Sequence, residues 1–312
     1  MTLDASRVKA RAQELGFLAC GITDTSPPPH AAELDRWLAR GHAGTMRYMH
    51  RQAAKRKSPE LIVPEARSVV VVIDNYYTSD TPDGGAAPRV AKYARGEDYH
   101  RVTFRRLDAL AVFLRQNGAA VARPYVDAGP VPERELAQRA GLGWIGKNTM
   151  LIRPGAGSFF FIGSVFTDLL LPPDPPFALD HCGSCTRCLD ACPTNALFEP
   201  RALDATRCIS YLTIEHRGPI PNELAERFDG WVFGCDICND VCPWNERFAT
   251  PTSVREFHPR DALRALRSDA LERMTPEEFA ARFGDTPLER AGLEGMRRNL
   301  RAVRSPAGRP AG

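Results

Sequence analysis

Eight of the nine cysteines of this 312-residue chain lie between residues 182 and 242, a density that suggests metal or disulfide chemistry. Disulfides, zinc and iron-sulfur clusters all use thiols in this way. The N-terminus, MTLDASRVKARAQELG, carries charges where a signal peptide needs an apolar core, and no run approaches the ~18 apolar residues of a membrane span. We therefore expect a cytoplasmic protein without a membrane segment. Thiols stay reduced in that compartment, which disfavours disulfides.

The cysteine spacing favours iron-sulfur clusters over zinc. The run Cys182-x2-Cys185-x2-Cys188-x3-Cys192-Pro193 has the spacing of bacterial ferredoxins, in which the fourth cysteine binds the neighbouring cluster. A second run, Cys235-x2-Cys238-x3-Cys242-Pro243, repeats the back half of this pattern, and Cys208 precedes it. The spacing predicts two 4Fe-4S clusters that transfer electrons. The predicted ligands are Cys182, Cys185, Cys188 and Cys242 for one cluster, and Cys192, Cys208, Cys235 and Cys238 for the other.

Chain length and prolines indicate how the sequence is divided. A chain of this length usually forms about two domains of roughly 150 residues. Four prolines within residues 172–176 interrupt both helix and strand and mark a boundary. We predict a catalytic domain over 1–171, a two-cluster domain over 172–250, and a short helical segment with a basic tail over 251–312.

Apolar periodicity predicts a mixed fold, α/β or α+β, in the first domain. The short run GFLACGI is expected to place Cys20 in a buried strand. Thr275 with Glu278, and Thr286 with Glu289, each have the spacing of a helix capping box. The predicted helices are 4–15, 101–116 and 132–140, the predicted strands are 67–77, 119–126 and 158–166, and 78–88 is a loop.

Several residues of the first domain could serve a site or only support the fold. Asp127 follows the end of a predicted strand, where it lines a pocket or caps a turn. Glu133 and Glu135 fall in the first turn of a helix, where the helix dipole alone explains them. The glycine-rich segment GLGWIGKN, residues 141–148, either allows a ligand close to the backbone or forms an ordinary loop. No nucleotide-binding loop or nucleophile elbow is present, which disfavours nicotinamide, ATP and serine-hydrolase chemistry.

Segments distributed over nearly the whole chain resemble the epoxyqueuosine reductases. These are cobalamin-dependent iron-sulfur enzymes that finish queuosine synthesis at the wobble position of the transfer RNA anticodon. The matching segments are MRYMHRQAAKR (46–56), KYARGEDYH (92–100), VDAGPVPERELAQRAGLGWIGKNTMLI (126–152), HCGSCTRCLDACPTNAL (181–197), CISYLTIEHRGPIP (208–221), GCDICNDVCPWN (234–245) and GMRRNLRAV (295–303).

The resemblance implies a reductive-dehalogenase-like cobalamin-binding domain followed by a ferredoxin-like domain with two clusters. It implies that electrons flow from the clusters to cobalt and that the cluster bound by Cys182 is the one nearer to cobalt. It also implies that the epoxide oxygen is lost as water. Asp127 matches the proton donor, and burial beside the corrin would raise its pKa. Arg56 matches a cobalamin contact. The other implied cofactor contacts are Leu151, Ile162, Ser210, Tyr211, Asn239, Asp240 and Val241.

The resemblance also implies the partners. The substrate would be transfer RNA carrying epoxyqueuosine, electrons would come from a flavodoxin or ferredoxin, and the protein would be a monomer. Many relatives continue into a helical-repeat domain that grips RNA, so here RNA contacts would fall to basic patches and to the tail beyond Glu294, which has five arginines.

Other functions stay open at the level of sequence. They are a cobalamin-dependent reductive dehalogenase, another small-molecule reductase, and a plain electron-transfer ferredoxin subunit. The segment Asp98-Tyr99-His100 followed by Thr103 nearly matches a cobalamin motif, D-x-H-x-x-G, but threonine replaces the glycine. We therefore expect His100 at a helix start or pocket wall rather than on cobalt.

Overall fold

A four-stranded sheet forms the centre of the first half of the molecule, in a computed structural model that describes residues 3–79 and 88–304. The strand order is β1-β2-β7-β4, and every neighbouring pair is antiparallel. The sheet strands are β1 Ala19–Thr23, β2 Ser68–Asn75, β4 Ala122–Val126 and β7 Phe160–Thr167. The two-residue and three-residue strands are β3 Arg89–Val90, β5 Trp144–Ile145, β6 Leu151–Ile152, β8 Leu197–Glu199, β9 Ala202–Leu203 and β10 Trp231–Phe233.

The second strand, SVVVVIDN, explains how the sheet is buried. Side chains alternate across a strand, so Val70 and Val72 lie on one face and Val69 and Val71 on the other. The first pair packs into the core formed with α1 Ala5–Glu14 and α5 Tyr99–Gln116, and the second packs against α6 Glu133–Arg139. A strand covered on both faces needs a continuous apolar run, which is the pattern observed.

The helices of the first domain begin and end close to the predicted positions. Helix α5 starts two residues earlier than predicted, because Asp98 caps it by accepting a hydrogen bond from the His100 N–H at 3.0 Å. It ends before Gly118, whose φ of 103° stops the helix. Most of the predicted loop 78–88 lies outside the described residues. The remaining helices of this part are α2 Ala31–Ala39, α3 Arg47–Arg51 and α4 Ala53–Lys57.

Short helices follow the cysteines in the second half of the chain. They are α7 Arg187–Asp190, α8 Ile209–Ile214, α9 Asn222–Ala225, α10 Ile237–Asp240 and α11 Pro243–Phe248. Strand β10 pairs in parallel with β3, which comes from the first domain. Residues of the first domain thus contribute to the sheet of the second. The division of the chain at residue 172 stays a prediction.

The C-terminal segment is helical, as predicted, with one correction. Thr275 and Glu278 form the predicted capping box, but the box predicted at Thr286 was wrong. Thr286 Oγ1 accepts from the Leu288 N–H instead, and a single 3-10 turn follows. The helices here are α12 Asp261–Arg264, α13 Ser268–Arg273, α14 Pro276–Phe283 and α15 Gly292–Arg304.

The arginines of α15 contact the rest of the protein. Arg297 donates to the carbonyls of Glu272 and Met274, and Arg298 donates to the carbonyl of Leu212 at 2.9 Å. These bonds hold α15 against the preceding helices. Arg301 and Arg304 pair with Glu272, so four of the five arginines of the basic tail already have partners. No helix in the described part of the chain combines the length and apolar character needed to cross a membrane.

Candidate active site and cysteine groups

Asp127 directly follows β4, and three neighbours hold it in place. The Tyr99 hydroxyl donates a hydrogen bond to Asp127 Oδ2, and His100 Nε2 lies 3.8 Å from the same oxygen. The backbone N–H of Asp127 donates to Glu133 Oε1 at 2.7 Å. Asp127 has a φ of 48°, a left-handed conformation that non-glycine residues adopt mainly in turns and at functional sites. Its side chain is 60% exposed, so the burial expected for this carboxyl would have to come from a bound ligand.

Asp98, His100 and Asp127 form a line of polar groups at the start of α5. His100 Nδ1 lies 2.8 Å from Asp98 Oδ1. Burial of the ring lowers the pKa of His100, but the hydrogen bond to Asp98 and the charges of Asp98 and Asp127 more than offset this, so the net pKa is raised. His100 therefore lies at a helix start, as expected, and in its charged form faces the Asp127 carboxylate.

Tyr99 is a site residue that the sequence reasoning missed. Its ring stacks on Phe161 with centroids 4.1 Å apart and only 6° between the planes. The stacking leaves the ring 7% exposed and directs the hydroxyl at Asp127. Recognising Asp98 as the N-cap would have moved the predicted helix start to Tyr99 and placed this hydroxyl beside the end of β4.

Glu133 was expected only to compensate the dipole of α6, but it also contacts the Asp127 loop. Burial and the negative charge of Asp127 raise the pKa of Glu133 to about 8, although the hydrogen bond from Asp127 and the charges of Arg134 and Arg56 oppose this. A carboxyl with this pKa is mostly protonated at neutral pH. The site therefore has a second acidic group, next to Asp127, that holds a proton.

Arg56, on α4, holds the loop that carries Asp127. Its guanidinium donates to the carbonyls of Gly129 and Val131 at 3.4 and 3.5 Å. Its Nε is buried and has no hydrogen-bond partner among the described residues. An unpaired buried donor of this kind is costly and fits an acceptor on a bound molecule.

The other predicted contact residues lie in different surroundings. Leu151 is buried in the core under the sheet, and Ile162 is half-buried beside it. The Tyr211 hydroxyl is 2.7 Å from the Thr45 backbone N–H, which donates to it. Asn239 is buried and accepts a hydrogen bond from Ser158 at 3.2 Å. Of the rest, Asp240 is bonded to Lys92, and Ser210 and Val241 are partly exposed near the cysteines.

The first group of thiols combines three cysteines of one run with the last cysteine of the other. Burial raises the pKa of Cys188, and the nearby thiols of Cys182, Cys242 and Cys185 raise it further. Burial likewise raises the pKa of Cys242, the N-cap residue of α11, and the backbone N–H groups of Trp244 and Asn245 partly offset this rise. Such N–H groups at a helix start stabilise a thiolate. Cys188 thus has the three thiols that spacing assigns to its cluster among its electrostatic neighbours, and their role as one ligand set stays a prediction.

The second group contains the remaining four cysteines. Burial raises the pKa of Cys238, and the thiols of Cys235, Cys208 and Cys192 add to the effect. Cys208 is the N-cap residue of α8, and the N–H groups of Tyr211 and Ser210 oppose the rise in its pKa that burial causes. Among the described residues, no three His, Cys, Asp or Glu side chains converge closely enough to hold a single metal ion. The role of the eight thiols as cluster ligands stays a prediction.

The ninth cysteine is separate from both groups. Cys20 lies in β1, as predicted, and pairs with Val72 of β2. Burial raises the pKa of Cys20 to about 12. A thiol with so high a pKa is almost never a thiolate at neutral pH, so Cys20 behaves as a small apolar side chain.

The fold and the two thiol groups define a redox protein with a sheet domain and a double-cluster module. A family model described as a 4Fe-4S double cluster binding domain matches residues 181–245. A second model, "Epoxyqueuosine reductase QueG, DUF1730", matches residues 56–128.

Relatives with known names cover almost the whole chain. The epoxyqueuosine reductase of Pseudomonas aeruginosa is 45% identical over 302 residues, which are 95% of this chain and 83% of the relative. That of Cyclobacterium marinum is 43% identical, over 96% of each chain. The chain therefore belongs to the epoxyqueuosine reductase family.

Solved structures of this family have the same fold. A crystal structure of epoxyqueuosine reductase with an epoxyqueuosine-modified tRNA-Tyr stem loop is 30% identical, with a TM-score of 0.85 over 96% of this chain and 80% of that one. The Bacillus subtilis enzyme, solved with its catalytic loop swung out of the active site, gives a TM-score of 0.83 at 30% identity over the same shares. The predicted fold class is confirmed.

Proposed function

We propose that this protein reduces epoxyqueuosine to queuosine at the wobble position of transfer RNA, the last step of queuosine synthesis. The observation that carries the proposal is the Asp127 carboxylate, fixed yet exposed at the end of β4 in a chain that also brings eight thiols into two groups. The reaction consumes two electrons and two protons and releases water. The protein must therefore supply protons as well as electrons.

The residues fit the cofactors that the family implies, which are two 4Fe-4S clusters and cobalamin. Each group of four thiols provides one complete cluster ligand set. The unpaired Nε of Arg56 fits an acceptor on cobalamin, such as a corrin amide or phosphate. When bound, these groups would supply the two electrons of the reduction.

Asp127 is the proposed proton donor to the leaving oxygen. Tyr99 and His100 orient its carboxyl, and His100 in its charged form can replace the proton that Asp127 gives up. Glu133 holds a further proton at neutral pH and fixes the Asp127 backbone. Arg56 keeps the loop that carries Asp127 in place through its two carbonyls.

Anaerobic reconstitution with iron, sulfide and cobalamin, followed by assay on transfer RNA carrying epoxyqueuosine, tests the function. The expected product is queuosine, detected by mass spectrometry of the digested nucleosides. A fully loaded protein that forms no queuosine would refute the proposal. We further propose that the protein acts in the cytoplasm as a monomer and takes electrons from a flavodoxin or ferredoxin.

The raised pKa of Glu133 predicts how the reaction depends on pH. Glu133 is protonated below its pKa of about 8, so the rate should fall as pH rises through that value. Glu133→Gln keeps an acceptor for the Asp127 N–H but carries no exchangeable acid proton. We expect this variant to be about tenfold slower at neutral pH, a smaller loss than the roughly 10²–10⁴-fold of a direct general acid, and to lose the decline near pH 8.

The measurement is the single-turnover rate between pH 6 and 9. Glu135→Gln is the matched control, because Glu135 lies on the same helix but pairs with His30 at 2.8 Å. The control should keep the wild-type profile. An unchanged decline in the Glu133→Gln protein would remove Glu133 from the proton supply.

Two neighbouring lysines of α4 test the RNA contact. Lys55 is exposed and has no carboxylate within ion-pair distance among the described residues, whereas Lys57 bonds both oxygens of Asp35 at 2.8 Å. Because phosphate contacts release counterions, Lys55→Ala should reduce the slope of log K against log salt by about one. Lys57→Ala should change this slope less. Fluorescence anisotropy with labelled transfer RNA measures both, and equal slopes in all three proteins would exclude a phosphate contact at Lys55.

A further inference from the structure

The segment Trp144–Asn148 has no role in the proposed reaction, yet it contacts both cysteine runs. The Trp144 indole N–H donates to Cys182 Sγ at 3.4 Å. Lys147 Nζ donates to the carbonyls of Gly183 and Cys185 at 2.6 and 2.9 Å. Asn148 reaches the carbonyl of Cys238 at 3.4 Å. A loop of the sheet domain thus places a hydrogen-bond donor and a cation against the first thiol group.

The Trp144 donor is fixed in direction. The indole is 1% exposed and is packed by Phe177 and by the edge-on ring of Trp244, with centroids 5.8 and 5.0 Å away. The backbone on either side is equally confined, because a Cβ on Gly143 or Gly146 would lie within 2.5 Å of Ile152. The glycines of GLGWIGKN therefore let the loop approach β6 closely, which holds the indole N–H on the sulfur.

The charge of Lys147 is not neutralised locally. Within the described residues, no carboxylate lies within ion-pair distance of its ammonium group, which contacts only the turn between Cys182 and Cys185. The backbone of the lysine is held in turn, since Arg201 N–H donates to its carbonyl at 3.0 Å.

The second thiol group has different surroundings. Asp236, between Cys235 and Cys238, is buried at 2% exposure. Lys92 lies 3.8 Å from Asp236 and is bonded to Asp240, and the charge of Arg95 also acts on Asp236. Two carboxylates and two cations nearly cancel there, so this group lacks the net positive charge that Lys147 gives the first group.

We propose that Trp144 and Lys147 raise the reduction potential of the cluster held by Cys182, Cys185, Cys188 and Cys242 above that of the other cluster. Reduction adds one electron and places more negative charge on the sulfurs, so an N–H donor and a nearby cation stabilise the reduced state more than the oxidised one. The first electron that enters the protein then resides on this cluster. The inference rests on the cluster ligation that the proposed function requires.

The test is an anaerobic redox titration of reconstituted protein, followed by electron paramagnetic resonance, without RNA or cobalamin. Lys147→Met should reduce the equilibrium constant for one-electron reduction of one cluster by about tenfold, which is about 59 mV. Trp144→Phe should also reduce the equilibrium constant for reduction of this cluster, by about threefold to tenfold. The affected cluster is identified as the one whose signal is missing in Cys185→Ser protein.

Two further variants separate electrostatic tuning from packing. Lys147→Arg keeps the charge and should keep the potential. Trp244→Phe alters the same aromatic cluster without removing the indole N–H that faces Cys182. It should change the equilibrium constant for reduction by less than twofold. Unchanged potentials in Lys147→Met and Trp144→Phe proteins, a shift confined to the other cluster, or loss of iron from both variants would overturn the inference. Wild-type protein that forms no clusters would instead refute the proposed function.

Discussion

An Asp127→Asn protein is expected to bind both clusters and cobalamin but to form almost no queuosine. The amide has nearly the shape of the carboxyl, so it can keep the hydrogen bond from Tyr99. It has no acid proton to give to the leaving oxygen, and general acids of this kind typically contribute about 10²–10⁴-fold to the rate. Single-turnover assays at saturating transfer RNA measure the loss, and the visible spectrum of the same sample reports the clusters and the corrin.

Asp108→Asn is the matched control for this experiment. Asp108 is a carboxylate on α5 that lies 3.5 Å from Arg115 and makes no hydrogen bond or ion pair with Asp127. The control should turn over at the wild-type rate. Turnover by Asp127→Asn protein within about threefold of wild type would assign the proton to another group, with Glu133 the nearest alternative.

A Cys185→Ser protein is expected to lose one of its two clusters and nearly all catalytic turnover. Serine binds iron poorly in place of thiolate, so about half of the iron and sulfide should be missing after anaerobic reconstitution. Electron supply to the active site then fails. Asp127 and its neighbours are distant in sequence from Cys185, so their contacts should be unchanged. The measurements are iron and sulfide content, the resonance spectrum of the reduced protein, and transfer RNA affinity, which should stay within about twofold of wild type.

Cys20→Ser provides the comparison, because Cys20 is the one cysteine outside both groups. This protein should contain the full iron and sulfide and should retain activity, with at most a modest loss of stability from the buried hydroxyl. If Cys185→Ser protein instead kept both clusters, the ligand set inferred from spacing would be wrong. If its affinity for transfer RNA collapsed, Cys185 would be primarily structural.

Features that depend on nearby residues could be predicted from the sequence. The run SVVVVIDN predicted a strand buried on both faces, since only such a position favours continuous β-branched residues. The cysteine spacing predicted a double-cluster module, which the family model over residues 181–245 supports, while the exchange of one cysteine between the two ligand sets stays a prediction. The fold class followed from these two patterns together with the resemblance.

Features that depend on distant contacts could not be predicted. The sulfur of Cys182 and the indole of Trp144 are 38 residues apart, and no periodicity relates them. Glu133 in a first helical turn has an ordinary explanation, and only the position of Asp127 reveals its second role. The exposure of Asp127 was also missed, because the expected burial assumed a ligand that the chain alone does not provide.

The exchange of cysteines between the two runs has a consequence for biosynthesis. Cys242 lies with the three leading cysteines of the first run, while Cys192 lies with Cys235 and Cys238. With the predicted ligand sets, neither cluster can be completed before the ribosome has added Cys238, although the first of the eight cysteines, Cys182, is made much earlier. Truncation before residue 235 would then remove ligands from both clusters at once.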